Sequence, residues 1–483
     1  MKLVELLNGV DVCTLACDPA LEIAEVCYDS RRAAPRSLFV AVRGFATDGH
    51  AYIGTAVQGG CVAVVCEEKP EEDIPYVLVR DSRRALAVIA ANRFGHPERE
   101  MRLVGVTGTK GKTTATHLIK GILERATGER VGLIGTNHIL FGEFELPSDR
   151  TTPESYELYS VLRQMADAGC TTAVMEVSSH SLMLDRVYGL HFAVAAYTNL
   201  LHDHLDFHKT MEEYARAKAI LVDRCDVCAI NLDDAYAHVM LDGKTCKKLT
   251  FSATKDEADM VAKNIKLKPD RVEFEAVSIG SIGRAVLGIP GMFSVYNALT
   301  AIACATLLGI SLEDALAALR TLGGVKGRFE VVPVPADYTV LIDYAHNPDS
   351  MKNVLETVGG FARGRVIAMF GAGGNRDKTK RPVMGRIGAS LSDICVITTD
   401  NPRDEDPDTI IEEVAAGARG QRAEIVIVTD RREAIVRELT IAREGDIVVL
   451  LGKGHETYQE VRGQKLHLDE REEIARYFEN KRA

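Results

Sequence analysis

The stretch Val104-Gly105-Val106-Thr107-Gly108-Thr109-Lys110-Gly111-Lys112-Thr113-Thr114 constrains this chain more than any other. The apolar run Leu103–Val106 reads as a buried strand, and the pattern from Lys112 to about residue 126 reads as a helix. Between them the glycines let the backbone curl until its N–H groups point at one anion. The helix N-terminus adds positive potential at the same place. Lys112 is placed to reach the outer phosphates of a nucleotide, and Thr113 to offer its hydroxyl to Mg²⁺. The loop is shorter than usual. Val106 stands where the G-x-x-x-x-G-K-T spacing needs glycine, which leaves Gly108-x-x-Gly111-Lys112-Thr113.

The remaining chain is organised to suit. A length of 483 residues suggests about three domains. Residues 1–98 read as a small α/β domain, with strand-like runs at 37–42 and 62–65 and a helix over 83–94 that Gly95-His96-Pro97 breaks. From 99 to 330 strands alternate with helices, the signature of a largely parallel sheet. Strands are predicted at 103–106, 131–134, 173–177, 193–198 and 227–231, and helices over 153–167, 211–221, 297–308 and 312–322. Pro153 suits the first turn of its helix, and the alternation over 251–279 suggests an antiparallel appendage. From 331 to 483 a further sheet is predicted, with strands at 339–343, 365–370, 394–398, 424–428 and 446–451. Gly371-Ala372-Gly373-Gly374 invites a dinucleotide-fold reading, but Arg376 stands where G-x-G-x-x-G needs glycine.

Bulk properties exclude several classes. The net charge of −11 argues against non-specific nucleic-acid binding. No apolar run is long enough for stable membrane insertion. Met1-Lys2-Leu3-Val4-Glu5-Leu6-Leu7 is too short and too acidic for a signal peptide. The eleven cysteines are scattered through apolar stretches, and Cys225-x-x-Cys228 has no second pair to complete a zinc site. A reduced, cytoplasmic compartment is expected.

Polar clusters gather at the C-terminal ends of the predicted strands, the edge where open α/β sheets bind ligands. Glu176-Val177-Ser178-Ser179-His180 ends one strand, where a glutamate beside a phosphate loop can hold a metal. His202-Asp203-His204-Leu205-Asp206 follows another and fits a hydrated loop as well as a metal site. Lys218 lies on a helix, where a lysine is ordinarily solvated. Asn231-Leu232-Asp233-Asp234 suits a base or ribose contact and a plain turn equally. In the third domain Asp343-Tyr344-Ala345-His346, the charged loop Arg376–Arg381, Asp400-Asn401-Pro402-Arg403 and Gly452-Lys453-Gly454-His455-Glu456 together suit a small zwitterion.

These motifs, with Asp29-Ser30-Arg31, Thr151-Thr152-Pro153 and Gly327-Arg328-Phe329-Glu330, resemble the Mur ligase family of peptidoglycan synthesis, in order along nearly the whole chain. The resemblance implies a UDP-binding N-terminal domain, a central P-loop ATPase domain and a Rossmann-like amino-acid-binding domain. It implies ATP-dependent amide formation through an acyl phosphate, feeding cell-wall growth and hence cell shape and division. Asp400-Asn401-Pro402-Arg403 is similar to the members that add meso-diaminopimelate to a UDP-muramoyl dipeptide; L-lysine is the alternative amino acid.

Residue by residue, the resemblance assigns Gly108, Thr109, Lys110, Gly111, Lys112, Thr113, Thr114, Asn231, Arg328 and Asp343 to ATP. Ser30, Phe45, Ala46, Thr47, Thr151, Thr152, Ser178 and Arg186 go to the UDP substrate. Arg376, Asp400, Asn401, Pro402, Arg403, Gly452 and Glu456 go to diaminopimelate. Lys218 would be carbamylated by CO₂, reversing the solvated reading, and would join Glu176 and His204 on one Mg²⁺ while Thr113 holds a second. The resemblance thus implies Lys112, Lys218, Glu176 and His204 as the catalytic set, and a monomeric enzyme is expected. Lys110, Arg150, Leu184 and Asn347 depart from the family pattern. A switch-type nucleotide-binding module would not need Glu176, His204 and Lys218, and a nicotinamide dehydrogenase would rest on Gly371–Gly374 alone.

Overall fold

The computed structural model describes residues 1–44 and 47–482, and the chain divides into two compact units. The first comprises residues 1–251, 257–259 and 300–311; the second comprises 252–256, 260–299 and 312–483.

The first unit opens with a sheet of β1 (Val12–Ala16), β2 (Glu25–Cys27), β3 (Ser37–Val40), β4 (Cys61–Cys66) and β5 (Tyr76–Val79), in the order β1-β5-β4-β3-β2. It continues with β6 (Arg102–Thr107), β7 (Val131–Ile134), β8 (His138–Phe141), β9 (Phe144–Pro147), β10 (Thr172–Glu176), β11 (Phe192–Tyr197), β12 (Cys225–Asn231) and β13 (Lys247–Ser252). These run β13-β12-β11-β6-β10-β7-β8-β9. The β6 strand lies in the middle, parallel to β10 on one side and β11 on the other. Its residues Leu103, Val104 and Val106 are buried, as a strand covered on both faces requires. Helix α1 (Lys112–Thr127) follows the phosphate loop and ends at Gly128 in the left-handed region, and α2 (Met211–Val222) is capped by the Thr210 hydroxyl.

The second unit carries the expected antiparallel appendage as β14 (Met260–Leu267), β15 (Val272–Ser278) and β16 (Ser281–Leu287), shifted about eight residues toward the C-terminus of the predicted span. Its six-stranded sheet is β17 (Glu330–Val332), β18 (Thr339–Asp343), β19 (Val366–Phe370), β20 (Ile394–Ile397), β21 (Glu424–Ile427) and β22 (Ile447–Leu451), ordered β17-β18-β22-β19-β20-β21. All but β17 are parallel. Helices α3 (Lys380–Leu391), α4 (Arg431–Ile441) and α5 (Glu470–Arg482) belong to this part.

Three local expectations differ from what forms. The helix predicted from Pro153 begins at Ser155, because the Thr152 hydroxyl donates to the Glu176 carbonyl at 2.9 Å and keeps the preceding residues extended. The helix predicted from Asn297 begins five residues earlier, at Met292. The glycines at 371–374 do not open a helix, since α3 starts only at Lys380. A β-carbon on Gly371 would fall 2.3 Å from the Thr398 carbonyl, and one on Gly374 would fall 1.9 Å from that of Pro402. Close packing of two backbones therefore accounts for those glycines.

Candidate active site

In the first unit, β6 delivers Gly108 and the loop to the sheet's C-terminal edge. Gly108 takes φ +150°, and a β-carbon there would overlap the Thr198 hydroxyl, so glycine is obligatory. Asn199 fixes the loop from the neighbouring strand end, its side-chain oxygen accepting from the Lys110 N–H at 2.9 Å. The Lys110 side chain itself is exposed.

Lys112 and Lys218 converge. Lys112 Nζ donates to the carbonyls of Gly108 (2.9 Å) and Thr109 (3.0 Å), and Lys218 Nζ donates to the same Gly108 carbonyl at 2.9 Å. Lys218 is only 1% exposed, which overturns the solvated reading. The reason is helical phase. Tyr214, Leu221 and Val222 lie four before and three and four after Lys218, on the buried face of α2. That periodicity was the available signal. Burial, then the Lys112 charge, holds the Lys218 amine well below its ordinary pKa. The Tyr214 ring lies 4.4 Å from Lys218 Nζ, and its hydroxyl accepts from Thr109 Oγ1 at 3.2 Å.

Glu176 ends β10 in register with Val106 and is 1% exposed. Its carboxylate accepts from the Thr136 N–H at 2.8 Å and the Thr136 hydroxyl at 3.0 Å. A β-carbon on Gly135 would lie 2.6 Å from Oε1, so this glycine admits the carboxylate. Neither Thr136 nor Gly135 belongs to a motif read from the sequence. With its proton on Glu176, the Thr136 hydroxyl accepts from the Thr151 hydroxyl at 3.0 Å, and the Ser178 N–H donates to Thr152 Oγ1 at 3.1 Å. Arg186 lies 2.6 Å from Glu154 and donates to the Thr152 carbonyl at 3.4 Å. Thus Thr151, Thr152, Ser178 and Arg186 form one network around Glu176.

His204 sits in the loop after β11 with its side chain 49% exposed, 3.8 Å from Asp203. Its ring meets His180 edge-on at 4.9 Å and Tyr214 at 6.2 Å, which links it to the Lys218 side of the site. Burial lowers the pKa of His180, and that of His208 to about 4, so both rings are neutral near pH 7. Asn231 uses its amide to donate to the Thr198 carbonyl at 2.8 Å and to accept from the Asp233 N–H at 3.1 Å, bracing the strand end that packs on Gly108. Ser30 lies in a short turn capped by Asp29, and Thr47 is exposed, its carbonyl accepting from the Gly44 N–H. Phe45 and Ala46 lie outside the described residues.

The second unit holds a cavity of about 480 Å³ at the C-terminal ends of β19, β20 and β22. Arg376, Asp400, Asn401, Arg403, Gly452 and Glu456 all line it; Pro402, the seventh residue assigned there, does not. Arg403 Nε donates to Glu460 at 3.0 Å and Nη1 to the Gly374 carbonyl at 2.8 Å, so the guanidinium is held from behind. Asp400 Oδ1 accepts from the Asn401 N–H, while its buried Oδ2 has no hydrogen-bond partner among the described residues. Lys453, fully buried, donates to Asn401 Oδ1 (2.8 Å) and Glu456 Oε2 (2.7 Å). Arg381, equally buried, forks onto Glu405 at 2.9 and 3.0 Å, and that pair holds the Glu405 carboxyl down at about 2. Lys453 and Arg381 lay inside motifs already singled out but without a role, and their neighbours Glu405 and Glu460 escaped the sequence reading. The cavity therefore pairs a cationic wall with an acceptor carboxylate, as a zwitterion requires.

Elsewhere in this unit Asp343 is pinned by the N–H groups of Phe329 and Ala345, each at 2.8 Å, and burial raises its pKa. The Arg328 guanidinium lies 5.2 Å from the Tyr344 ring centroid. Among the departures, Asn347 caps the helix Pro348–Gly359 and Arg150 pairs with Glu154 at 3.0 Å.

Three family models match the chain in succession: the Mur ligase family catalytic domain over 22–94, the Mur ligase middle domain over 106–305, and the Mur ligase glutamate ligase domain over 327–454. The chain is 44% identical over 461 residues to a Clostridium botulinum protein named UDP-N-acetylmuramoyl-L-alanyl-D-glutamate--2,6-diaminopimelate ligase, covering 94% of each. This chain belongs to the Mur ligase family. A Clostridium perfringens protein of the same name is 43% identical over the full length of both. A solved structure with that name covers 100% of this Mur ligase at 30% identity and TM-score 0.75. A Thermotoga maritima MurF ligase solved with ADP shares the fold, at 20% identity and TM-score 0.59. The Mur ligase fold is thus three α/β domains, as the motif order implied.

Proposed function

We propose that this Mur ligase joins meso-2,6-diaminopimelate to the D-glutamyl carboxylate of UDP-N-acetylmuramoyl-L-alanyl-D-glutamate, with ATP converted to ADP and phosphate, in peptidoglycan precursor synthesis. The observation that carries the reading is the cavity in which Arg403, held from behind, stands with the unpartnered Asp400 oxygen. Diaminopimelate brings two ammonium and two carboxylate groups. Lysine lacks the distal carboxylate and would leave the Arg403 guanidinium unanswered, so the lysine alternative is not favoured.

In this reading residues 1–98 bind the UDP end through Ser30, Thr47 and their neighbours, 99–330 bind ATP, and 331–483 bind the amino acid. The glutamyl carboxylate, oriented by Thr151, Thr152, Ser178 and Arg186, attacks the γ-phosphorus in line. The backbone of Gly108–Thr114 cradles the phosphates, and Lys112 neutralises charge gathering on the transferring oxygens. Asn231, Arg328 and Asp343 serve the nucleoside. The diaminopimelate amine attacks the acyl phosphate, and collapse of the tetrahedral adduct expels phosphate.

The residues fit a carbamate on Lys218. Two lysine Nζ atoms donate to one carbonyl, and one of them is buried. Two ammonium charges there repel; a neutral Lys218 amine is the nucleophile CO₂ needs, and the resulting carbamate complements Lys112. Among the described residues no three Asp, Glu, His or Cys side chains converge to hold an ion by themselves. Glu176 and His204 would need the carbamate to complete one Mg²⁺ site, with Thr113 serving a second. Bound Mg²⁺ would supply charge neutralisation at the phosphoryl oxygens.

Among the described residues no helix is long and apolar enough to cross a membrane. A cytoplasmic monomer acting on small molecules, without nucleic acid, and serving cell shape and division, completes the proposal. Its test is ADP release with the UDP-dipeptide and a panel of amino acids. Release only when diaminopimelate is present is expected. Release with lysine at equal efficiency would overturn the specificity, and no release with any amino acid would overturn the reaction.

A further inference from the structure

Arg431 opens α4, has no part in the proposed reaction, and does not line the cavity. Its side chain is fully buried. Nη2 donates to the Leu451 carbonyl at 2.8 Å and Nη1 to the Thr399 carbonyl at 3.2 Å. Nε and Nη2 both donate to Oε1 of Glu470, the equally buried first residue of α5, at 2.9 and 2.8 Å.

The two carbonyls it joins are informative. Leu451 is the last residue of β22 and precedes Gly452; Thr399 follows β20 and precedes Asp400. These strands are not neighbours, because β19 lies between them. No sheet ladder ties one strand end to the other across a separation of roughly 9–10 Å, two strand spacings. The planar, always-charged guanidinium has donors enough to bind both carbonyls and the Glu470 carboxylate at once, which an ammonium cannot do in one plane.

Beyond the strand ends the clearance is narrow. A β-carbon on Gly452 would already lie 2.6 Å from Asp400 Oδ2. Asn401 Nδ2 donates to Glu456 at 3.1 Å, with Lys453 bridging the same two residues. The Asp400–Arg403 and Gly452–Glu456 segments therefore depend on a spacing held from behind. Displacement of a binding group by about 1 Å costs up to ~100-fold in rate.

We infer that Arg431 is a positioning residue for the amino-acid pocket: paired with Glu470, it sets the separation of the two segments that receive the diamino acid without touching it. This rests on the proposal that the cavity takes the amino acid. It also couples the last helix of the chain to substrate selection, since Glu470 begins that helix.

The test is steady-state kinetics of the full chain, wild type against Arg431→Lys and Glu470→Gln, with KM measured for all three substrates. Arg431→Lys keeps the charge but not the fork. It is expected to raise KM for diaminopimelate about 10-fold, while KM for ATP and for the UDP-dipeptide stays within about 2-fold. Glu470→Gln, of the same size, is expected to shift the same KM about 3-fold in the same direction. A merely structural role would instead lower kcat and melting temperature with all three KM values moving together, and that result overturns the inference. So does an unchanged KM for diaminopimelate in folded Arg431→Lys. Should that variant fail to fold, Glu470→Gln decides by the same criterion. A wild type that releases no ADP sinks the proposed function itself; a working wild type with unmoved variants sinks only the positioning role.

Discussion

Removing the Arg403 side chain tests the proposed amino-acid pocket most directly. Arg403→Ala deletes a guanidinium whose Nε and Nη1 are committed to Glu460 and the Gly374 carbonyl, and whose remaining N–H groups are available to the ligand's distal carboxylate. Truncating one partner of a buried, hydrogen-bonded charge pair costs about 2–5 kcal/mol. The Arg403 side chain is 21% exposed, so water screens part of the interaction and the lower end applies, about 2–3 kcal/mol. At 1.36 kcal/mol per decade that is roughly a 30- to 150-fold loss of kcat/KM with diaminopimelate. Lysine lacks that carboxylate, and its already poor kcat/KM should change less than about 3-fold. The backbone adds no penalty of its own: Arg403 takes φ +51°, and arginine and alanine carry the same β-carbon into that region. The assay is coupled ADP release with each amino acid under subsaturating conditions. Equal losses with both amino acids would refute the pairing and leave Arg403 as a tie between Gly374 and Glu460.

Three other outcomes follow from the same geometry. Lys218→Ala should lower kcat by about 10³-fold, the scale of removing a preorganised group from a phosphoryl-transfer site, and short carboxylates should restore part of it; wild-type turnover without additives would exclude the carbamate. Gly452→Ala places a β-carbon 2.6 Å from Asp400 Oδ2 at φ +109°, so KM for diaminopimelate should rise about 10-fold or more with KM for ATP unchanged; an unchanged amino-acid KM would contradict the clearance argued for the cavity. Glu405 titrates at about 2 in the fold against 4.5 when free, so its pairing with Arg381 stabilises the protein above about pH 4.5 and is lost as pH falls toward 2. Arg381→Met should flatten the melting-temperature profile in that window, and a profile identical to wild type would discount the pair.

The glycine loop and the parallel strands around it were legible because local chemistry determines them, whereas the roles expected of most candidate residues came from the family resemblance. A strand covered on both faces must be apolar throughout, and a loop that wraps an anion must carry glycines. Hence β7 and β18 form over the predicted spans 131–134 and 339–343, and the appended strands form as antiparallel neighbours, displaced about eight residues along the chain. Legibility failed where one residue serves a distant one. Thr152 delays its helix because its hydroxyl is engaged by the Glu176 carbonyl, and the glycines at 371–374 answer to the backbone of 398–402.

By itself, then, the sequence determined an α/β chain with a glycine loop between strand and helix and with charged strand ends, since periodicity and turn chemistry act within a few residues. Only the tertiary structure decided the state of its polar side chains. It turned Lys218 inward to share a carbonyl with Lys112, seated Glu176 against Thr136, and placed Arg431 and Lys453 behind the strand ends that border the second unit's cavity. Whether a charge is solvated or buried depends on what packs over it, and those neighbours come from strands far apart in the chain.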